Sequence, residues 1–278
     1  MKISWHEKTR LWQIAWLGSA IALALTLGWQ IDRPAACRME ELASVPDDTN
    51  LVGVQAVQGN SEGTAKVLQK RVYLTFDDGP SPTTETVLDI LKEEQVPATF
   101  FVIAAPNNEE WLPILQRTQA EQHQIALHSC CHEYKEIYRS PAAFWADIRD
   151  LKQQLKPYVR DVEAITWLRF PGGSTNTVSH KYGGSNIMSS LKRQVEEKGY
   201  HYVDWNVCAN DAVGGHPNAD TILHNVIDDV GDKTSCVVLM HDTKATRTTA
   251  QALPEIIHWF KENGFEFCTI QQLTENEE

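Results

Sequence analysis

The chain has 278 residues, enough for one large domain or two small ones, and its 42% apolar content supports a sizeable core. The formal net charge is -12, and no basic stripe is present, which argues against nucleic acid as a partner. An acidic surface suits a neutral or cationic substrate but discriminates weakly.

Residues 11–29, LWQIAWLGSAIALALTLGW, carry no charge and are long enough to span a bilayer. Lys2, Lys8 and Arg10 precede this run and place the short tail, residues 1–10, in the cytoplasm. Trp12, Trp16 and Trp29 suit the membrane interfaces. The alternative is a cleaved signal peptide and a secreted domain. No small-x-small cleavage pattern directly follows the apolar run, and Asp32, Arg33 and Pro34 intervene. The expectation is therefore an uncleaved single-pass anchor in the cell membrane, with everything after it extracytoplasmic. Residues 30–70 are polar and small, with little periodicity, and read as a linker. A flexible chain of that length averages only roughly 30–40 Å end to end, which keeps the domain close to the outer leaflet.

Residues 71–278 read as one domain in which short β-branched runs alternate with amphipathic helices. The strand candidates are residues 72–76, 98–103, 124–128, 165–170, 202–207, 236–240 and 265–270. In the helix opened by Ser140-Pro141, the spacing of Phe144, Ile148, Leu151 and Leu155 lines one face. A second helix carries Ile187, Leu191 and Val195 and stops at Gly199. A third carries Leu253, Ile256, Ile257 and Phe260 and stops at Gly264. This alternation predicts a parallel sheet, open or closed into a barrel, with the active site at the C-terminal ends of the strands. The six cysteines (37, 130, 131, 208, 236 and 268) show no CxxC pattern, and their pairing is not legible. Cys236 and Cys268 lie in apolar runs and read as small buried hydrophobes.

The polar residues at the strand ends are the candidates for chemistry. The first strand ends in Thr75-Phe76-Asp77-Asp78-Gly79-Pro80, where a Gly-Pro turn can bend two adjacent carboxylates toward one site. Taken alone, such a turn is more often merely solvated. The third runs into His128-Ser129-Cys130-Cys131-His132, and the i, i+4 spacing puts both imidazoles on one helical face, as in sites that hold one metal ion. A lone pair of that kind is more often incidental. Arg169, before Phe170-Pro171-Gly172, is a surface cation or a fork holding a carboxylate. Asp211 follows the fifth strand, and Leu239-Met240-His241 closes the sixth, where His241 is a satisfied core residue or a general acid. Five such signals at the same end of successive strands form a constellation that the bland readings do not explain together.

In this order the motifs resemble those of the polysaccharide deacetylases with a NodB-homology domain, carbohydrate esterase family 4, over about residues 70–275. The matches are T-F-D-D-G-P at 75–80, H-S-x-x-H at 128–132, R-x-P at 169–171 and L-x-H at 239–241. The resemblance implies an irregular, partly open (β/α) barrel of about seven parallel strands. It implies that Asp78, His128 and His132 bind a divalent metal, zinc above all, with cobalt or nickel as alternatives. It makes Asp77 the general base oriented by Arg169, and His241 the general acid tuned by Asp211. Leu239 lines the acetyl pocket, and the Gly172 N–H helps hold the oxyanion. The implied reaction is N-deacetylation of N-acetylglucosamine residues in a wall polysaccharide, peptidoglycan first, to free amine and acetate. The alternatives are an O-deacetylase of acetylated xylan or a non-catalytic glycan-binding relative.

Two departures from the family pattern bear on substrate preference. The family often has an aromatic residue where Gly172 stands, and its fourth motif usually ends in Asp-Trp where this chain has Asp211-Ala212. If residues 11–29 are an uncleaved anchor, the full-length protein fractionates with membranes and begins near Met1. A soluble product starting after residue 30 would show a cleaved signal instead.

Overall fold

The structure, a computed structural model, describes residues 69–274 apart from Gly215. The expected tail, the anchor, nearly all of the linker and the last four residues lie outside the described residues. Among the described residues, no helix is long and apolar enough to cross a membrane.

Among the described residues, eight short strands make one parallel sheet: β1 (Lys70–Asp77), β2 (Thr99–Ile103), β3 (Gln124–Ser129), β4 (Trp167–Leu168), β5 (His201–Tyr202), β6 (Val207–Cys208), β7 (Ser235–His241) and β8 (Phe265–Phe267). Seven follow the order β5-β4-β3-β2-β1-β7-β6, and β8 pairs with the start of β1. The main helices are α1 (Pro82–Glu94), α2 (Leu115–Ala120), α3 (Tyr134–Ile137), α4 (Pro141–Leu155), α5 (His180–Gly183), α6 (Ile187–Glu197), α7 (Ala219–Val230), α8 (Arg247–Glu262) and α9 (Gln271–Thr274).

The sheet curls because of one connection. β5 and β6 are consecutive in the chain but occupy opposite edges. Six inter-strand spacings would separate the edges of a flat sheet by about 28 Å. Five Cα steps, from Tyr202 to Val207, reach at most about 18 Å. The edges must therefore approach each other, and the sheet becomes a partly closed barrel.

That closure divides the core in two. On the outer face, Val72, Leu74 and Phe76 of β1 pack with Phe144, Ile148, Leu151, Leu155, Leu191, Val195, Leu253 and Phe260 from the helices. These are the helix faces that the spacing predicted. On the inner face a smaller group contains Tyr73, Phe101, Ala126, Trp167, Val237, Cys268 and Ile270. Cys236 and Cys268 are buried free thiols, as their apolar surroundings suggested.

The long helices begin where local chemistry dictates. Ser140 accepts a hydrogen bond from the Ala143 N–H at 3.2 Å with Pro141 in the first turn, and Ser81 caps α1 with a capping box.

The strand expectations need correction at three places. The run 202–207 is not one strand but two, β5 and β6, on opposite edges. The cause is Arg169, whose Nε donates to the Val203 carbonyl and whose Nη2 donates to the Asp204 carbonyl, both at 3.1 Å. A side chain thus takes the acceptors that a ladder would use. The runs 165–170 and 265–270 shrink to the two residues of β4 and the three of β8.

Phe76 is fully buried on the central strand and stacks on Phe100 at 5.2 Å between centroids. Phe76→Ala is expected to destabilise the domain by about 3–5 kcal/mol. The check is the urea midpoint, which falls with little change in slope.

Candidate active site

The cleft is built at the C-terminal ends of the strands. β1 and β7 run in register so that Asp77 lies beside His241. After Asp77 the backbone turns sharply at Asp78, which has φ 68°, in the left-handed region. This swing at Asp78 itself, followed by Gly79 and cis-Pro80, aims two successive carboxylates into one space. The turn is anchored on several sides. The Asn108 amide donates to the carbonyls of Asp78 and Pro80 at 3.0 and 2.9 Å, and the Ile103 N–H donates to the Gly79 carbonyl at 2.8 Å. Asp242 packs directly beneath it, so a Cβ at Gly79 would overlap the Asp242 carboxylate. Burial pushes the Asp242 carboxyl up to about 7.

The histidine pair does not sit on a helix, contrary to the reading of its spacing. His128 is on β3, and His132 lies in the following loop with φ 53°. The Asp147 carboxylate on α4 shapes that loop. It accepts from Ser129 Oγ at 2.7 Å, from the Cys130 N–H at 2.8 Å and from the Cys131 N–H at 3.0 Å. Ser129 Oγ in turn accepts from the His132 N–H at 2.9 Å. The loop winds around this carboxylate and returns His132 to His128, with 5.2 Å between ring centroids.

Asp78, His128 and His132 consequently offer ligand atoms that all lie within 4.8 Å of one another. Asp78 Oδ1 is 3.4 Å from His128 Nε2 and 3.2 Å from His132 Nε2. That oxygen is buried and has no hydrogen-bond donor, as a cation ligand would be. Burial pushes the Asp78 carboxyl up, but His132, His128 and His241 together outweigh it and leave it lowered. Burial holds the His128 imidazole below its ordinary range despite Asp77 and Asp78. His128 Nδ1 lies 2.7 Å from the Arg169 carbonyl, so Nδ1 carries the proton and Nε2 keeps its lone pair. Two imidazoles and a carboxylate suit zinc or a similar divalent ion.

Arg169 is fully buried rather than a surface cation. Its Nη1 donates to Asp77 Oδ1 and to Thr75 Oγ1, both at 2.8 Å, and its guanidinium lies 4.1 Å from the Phe101 ring centre. Asp77 is thereby fixed 3.9 Å from His128 Nε2, beside the metal corner.

On the other wall, His241 Nδ1 is 2.9 Å from Asp211 Oδ1. The second Asp211 oxygen accepts from the His241 N–H and from Thr249 Oγ1, both at 2.7 Å. Burial alone would lower the His241 imidazole. Asp211 above all, then Asp78 and Asp77, raise it to about 10. Leu239, two residues before His241 on β7, is buried. Gly172 has φ 78°, and among the described residues its N–H donates to no protein acceptor.

Seven of the nine candidate residues thus meet at the C-terminal ends of the strands, Leu239 pairs with Thr75 beside them, and Gly172 follows Arg169 by three positions. Sequence reasoning missed Asp147, Thr75 and Thr249, which hold the ligand loop, the arginine and the Asp211 carboxylate. Thr75 lies inside a quoted motif. Asp147 and Thr249 sit on helices and carry no local signal.

A family model described as polysaccharide deacetylase matches residues 64–186. YheN of Bacillus subtilis (strain 168), assigned to the polysaccharide deacetylases, is 31% identical over 206 residues, covering 73% of this chain and 67% of that protein. A peptidoglycan-N-acetylglucosamine deacetylase of Bacillus cereus is 29% identical, covering 72% of this chain and 68% of that one. Among solved structures, the catalytic domain of peptidoglycan N-acetylglucosamine deacetylase from Eubacterium rectale superposes with a TM-score of 0.68 at 35% identity. That match covers 72% of this chain and 88% of that one.

Asp78→Asn, His128→Ala and His132→Ala should each weaken zinc binding by at least about tenfold in calorimetry, and Asp147→Asn should do so without touching the ion. Wild-type affinity in the Asp147 variant would show that the loop holds its shape unaided.

Proposed function

Because this chain belongs to the polysaccharide deacetylase family, we propose that it is a metal-dependent N-deacetylase of N-acetylglucosamine residues in peptidoglycan. The observation that carries the reading is the convergence of a metal-type triad, Asp78, His128 and His132, with a buried carboxylate on one side and an Asp-held imidazole on the other. A bound divalent ion would polarise the acetamide oxygen and lower the pKa of an attacking water.

The chain's own residues supply the rest. Asp77, held by Arg169, accepts the proton of the water as it attacks the acetyl carbon. The Gly172 N–H donates to the oxygen that becomes negative. Leu239 supplies apolar surface for the methyl group. The leaving amine is a very poor leaving group unless its nitrogen is protonated as the C–N bond breaks. His241 holds that proton, because Asp211 keeps the imidazole charged through neutral pH. The products are acetate and a free amine on the sugar.

The substrate assignment draws on the Bacillus cereus and Eubacterium rectale relatives, both named for peptidoglycan N-acetylglucosamine. It draws also on the uncharged stretch 11–29, which as an anchor would place the domain at the cell membrane beside the wall.

The test is acetate release from N-acetylglucosamine oligomers, peptidoglycan and acetylxylan. Release from the first two is expected, and release from acetylxylan alone would replace this reading with O-deacetylation. In the same assay Asp77→Asn and His241→Ala should each lower turnover by roughly a hundredfold with zinc retained. Since His241 is charged below its raised pKa, activity should fall as pH rises through it. Asp211→Asn should move that alkaline limb to lower pH.

A further inference from the structure

Tyr134 stands in the cleft with a hydroxyl that the fold does not use. It opens α3, two residues after His132, and its ring meets His132 edge-on at 5.9 Å between centroids. On its other side it meets Tyr138 at 5.6 Å. The two tyrosines differ in one respect. Tyr138 is fully buried, and its hydroxyl donates to the Pro171 carbonyl at 2.8 Å. Tyr134 is only half-buried, and among the described residues its hydroxyl has no hydrogen-bond partner.

The place of that hydroxyl is defined by Gly172. A Cβ at Gly172 would overlap Tyr134 Oη, while the ring carbons Cε1 and Cζ would be 3.3 Å away. Oη therefore rests against the Gly172 backbone, whose own N–H is also unused. Two donors that the described residues leave unused thus belong to touching residues, and the Tyr134 ring packs on His132, a member of the Asp78, His128 and His132 corner. Neither donor is committed to an acceptor among the described residues, so both are available to a ligand oxygen.

We infer that Tyr134 is a second hydrogen-bond donor, beside the Gly172 N–H, to the acetamide oxygen as it becomes negative. This rests on the deacetylase reading and names a residue of the same site. It also accounts for the glycine, since any side chain at 172 would drive the hydroxyl from its place. The aromatic surface absent at position 172 is supplied from another element, the start of α3.

The test uses the zinc-loaded full-length protein with Tyr134→Phe, which keeps the ring against His132 and Tyr138 and removes only the hydroxyl. On an N-acetylglucosamine oligomer, kcat should fall about a hundredfold with KM nearly unchanged, the usual signature of a lost oxyanion donor. Zinc content and melting temperature should match the wild type. Acetate titrated by calorimetry should bind more weakly to the variant.

An unchanged kcat overturns the inference. So does a raised KM at constant kcat, which would make Tyr134 a sugar contact. Loss of zinc or of thermal stability would assign the hydroxyl to packing and overturn it as well. If the wild type releases no acetate from any glycan, it is the deacetylase reading that fails. The acetate titration still decides the hydroxyl in that case: weaker binding in the variant supports it, and equal binding overturns it.

Discussion

The structure depends on one buried cation. Arg169 sits inside the barrel with no exposed surface, where an unpaired charge would be strongly unfavourable. It is tolerated because its donors are matched: Asp77 and Thr75 at one end, and the carbonyls of Val203 and Asp204 at the other. The Phe101 ring adds its face. Removing one partner of such a pair typically costs about 3–5 kcal/mol, because the other charge stays buried. The same guanidinium thus has two roles. It ties the central strand to the segment that joins the sheet's edges, and it holds the candidate base in position. Closure of the barrel and orientation of Asp77 are therefore a single constraint.

The two walls of the cleft use one device to opposite effect. His128 and His241 each point Nδ1 at an acceptor and leave Nε2 for the site. For His128 the acceptor is a neutral carbonyl, and burial keeps the imidazole uncharged, as a metal ligand must be. For His241 the acceptor is the Asp211 carboxylate, which outweighs burial and keeps the imidazole protonated. The difference between the two imidazoles lies in the charge of the group behind the ring, not in the ring or its depth.

Backbone conformation matters equally. Asp78 and His132 both lie in the left-handed region, which non-glycine residues seldom adopt. Each is held there by side-chain hydrogen bonds: Asn108 grips the carbonyls of the Asp78 turn, and Asp147, through Ser129, grips the His132 loop. The candidate triad is consequently set in place by residues outside it.

Features governed by near neighbours were legible in the sequence. The buried faces of α4, α6 and α8 follow from spacing along a helix, and Ser140-Pro141 marks a start through its own hydrogen bond. β1, β2, β3 and β7 are largely buried on both faces, because helices cover one and the barrel interior the other. The nine candidate residues were picked out by the order of their motifs. Tertiary structure decided the remainder. β4, β5 and β6 are two residues long, and their strand character exists only through partners far along the chain. The i, i+4 histidines read as helical, but Asp147, fifteen positions beyond His132, captured the loop's N–H groups and wound it otherwise. Tyr134 carries no local signal, and only the fold brings Gly172, 38 positions on, against its hydroxyl. Local periodicity records which face a residue turns inward, whereas which distant group meets it there is settled only when the sheet curls and closes.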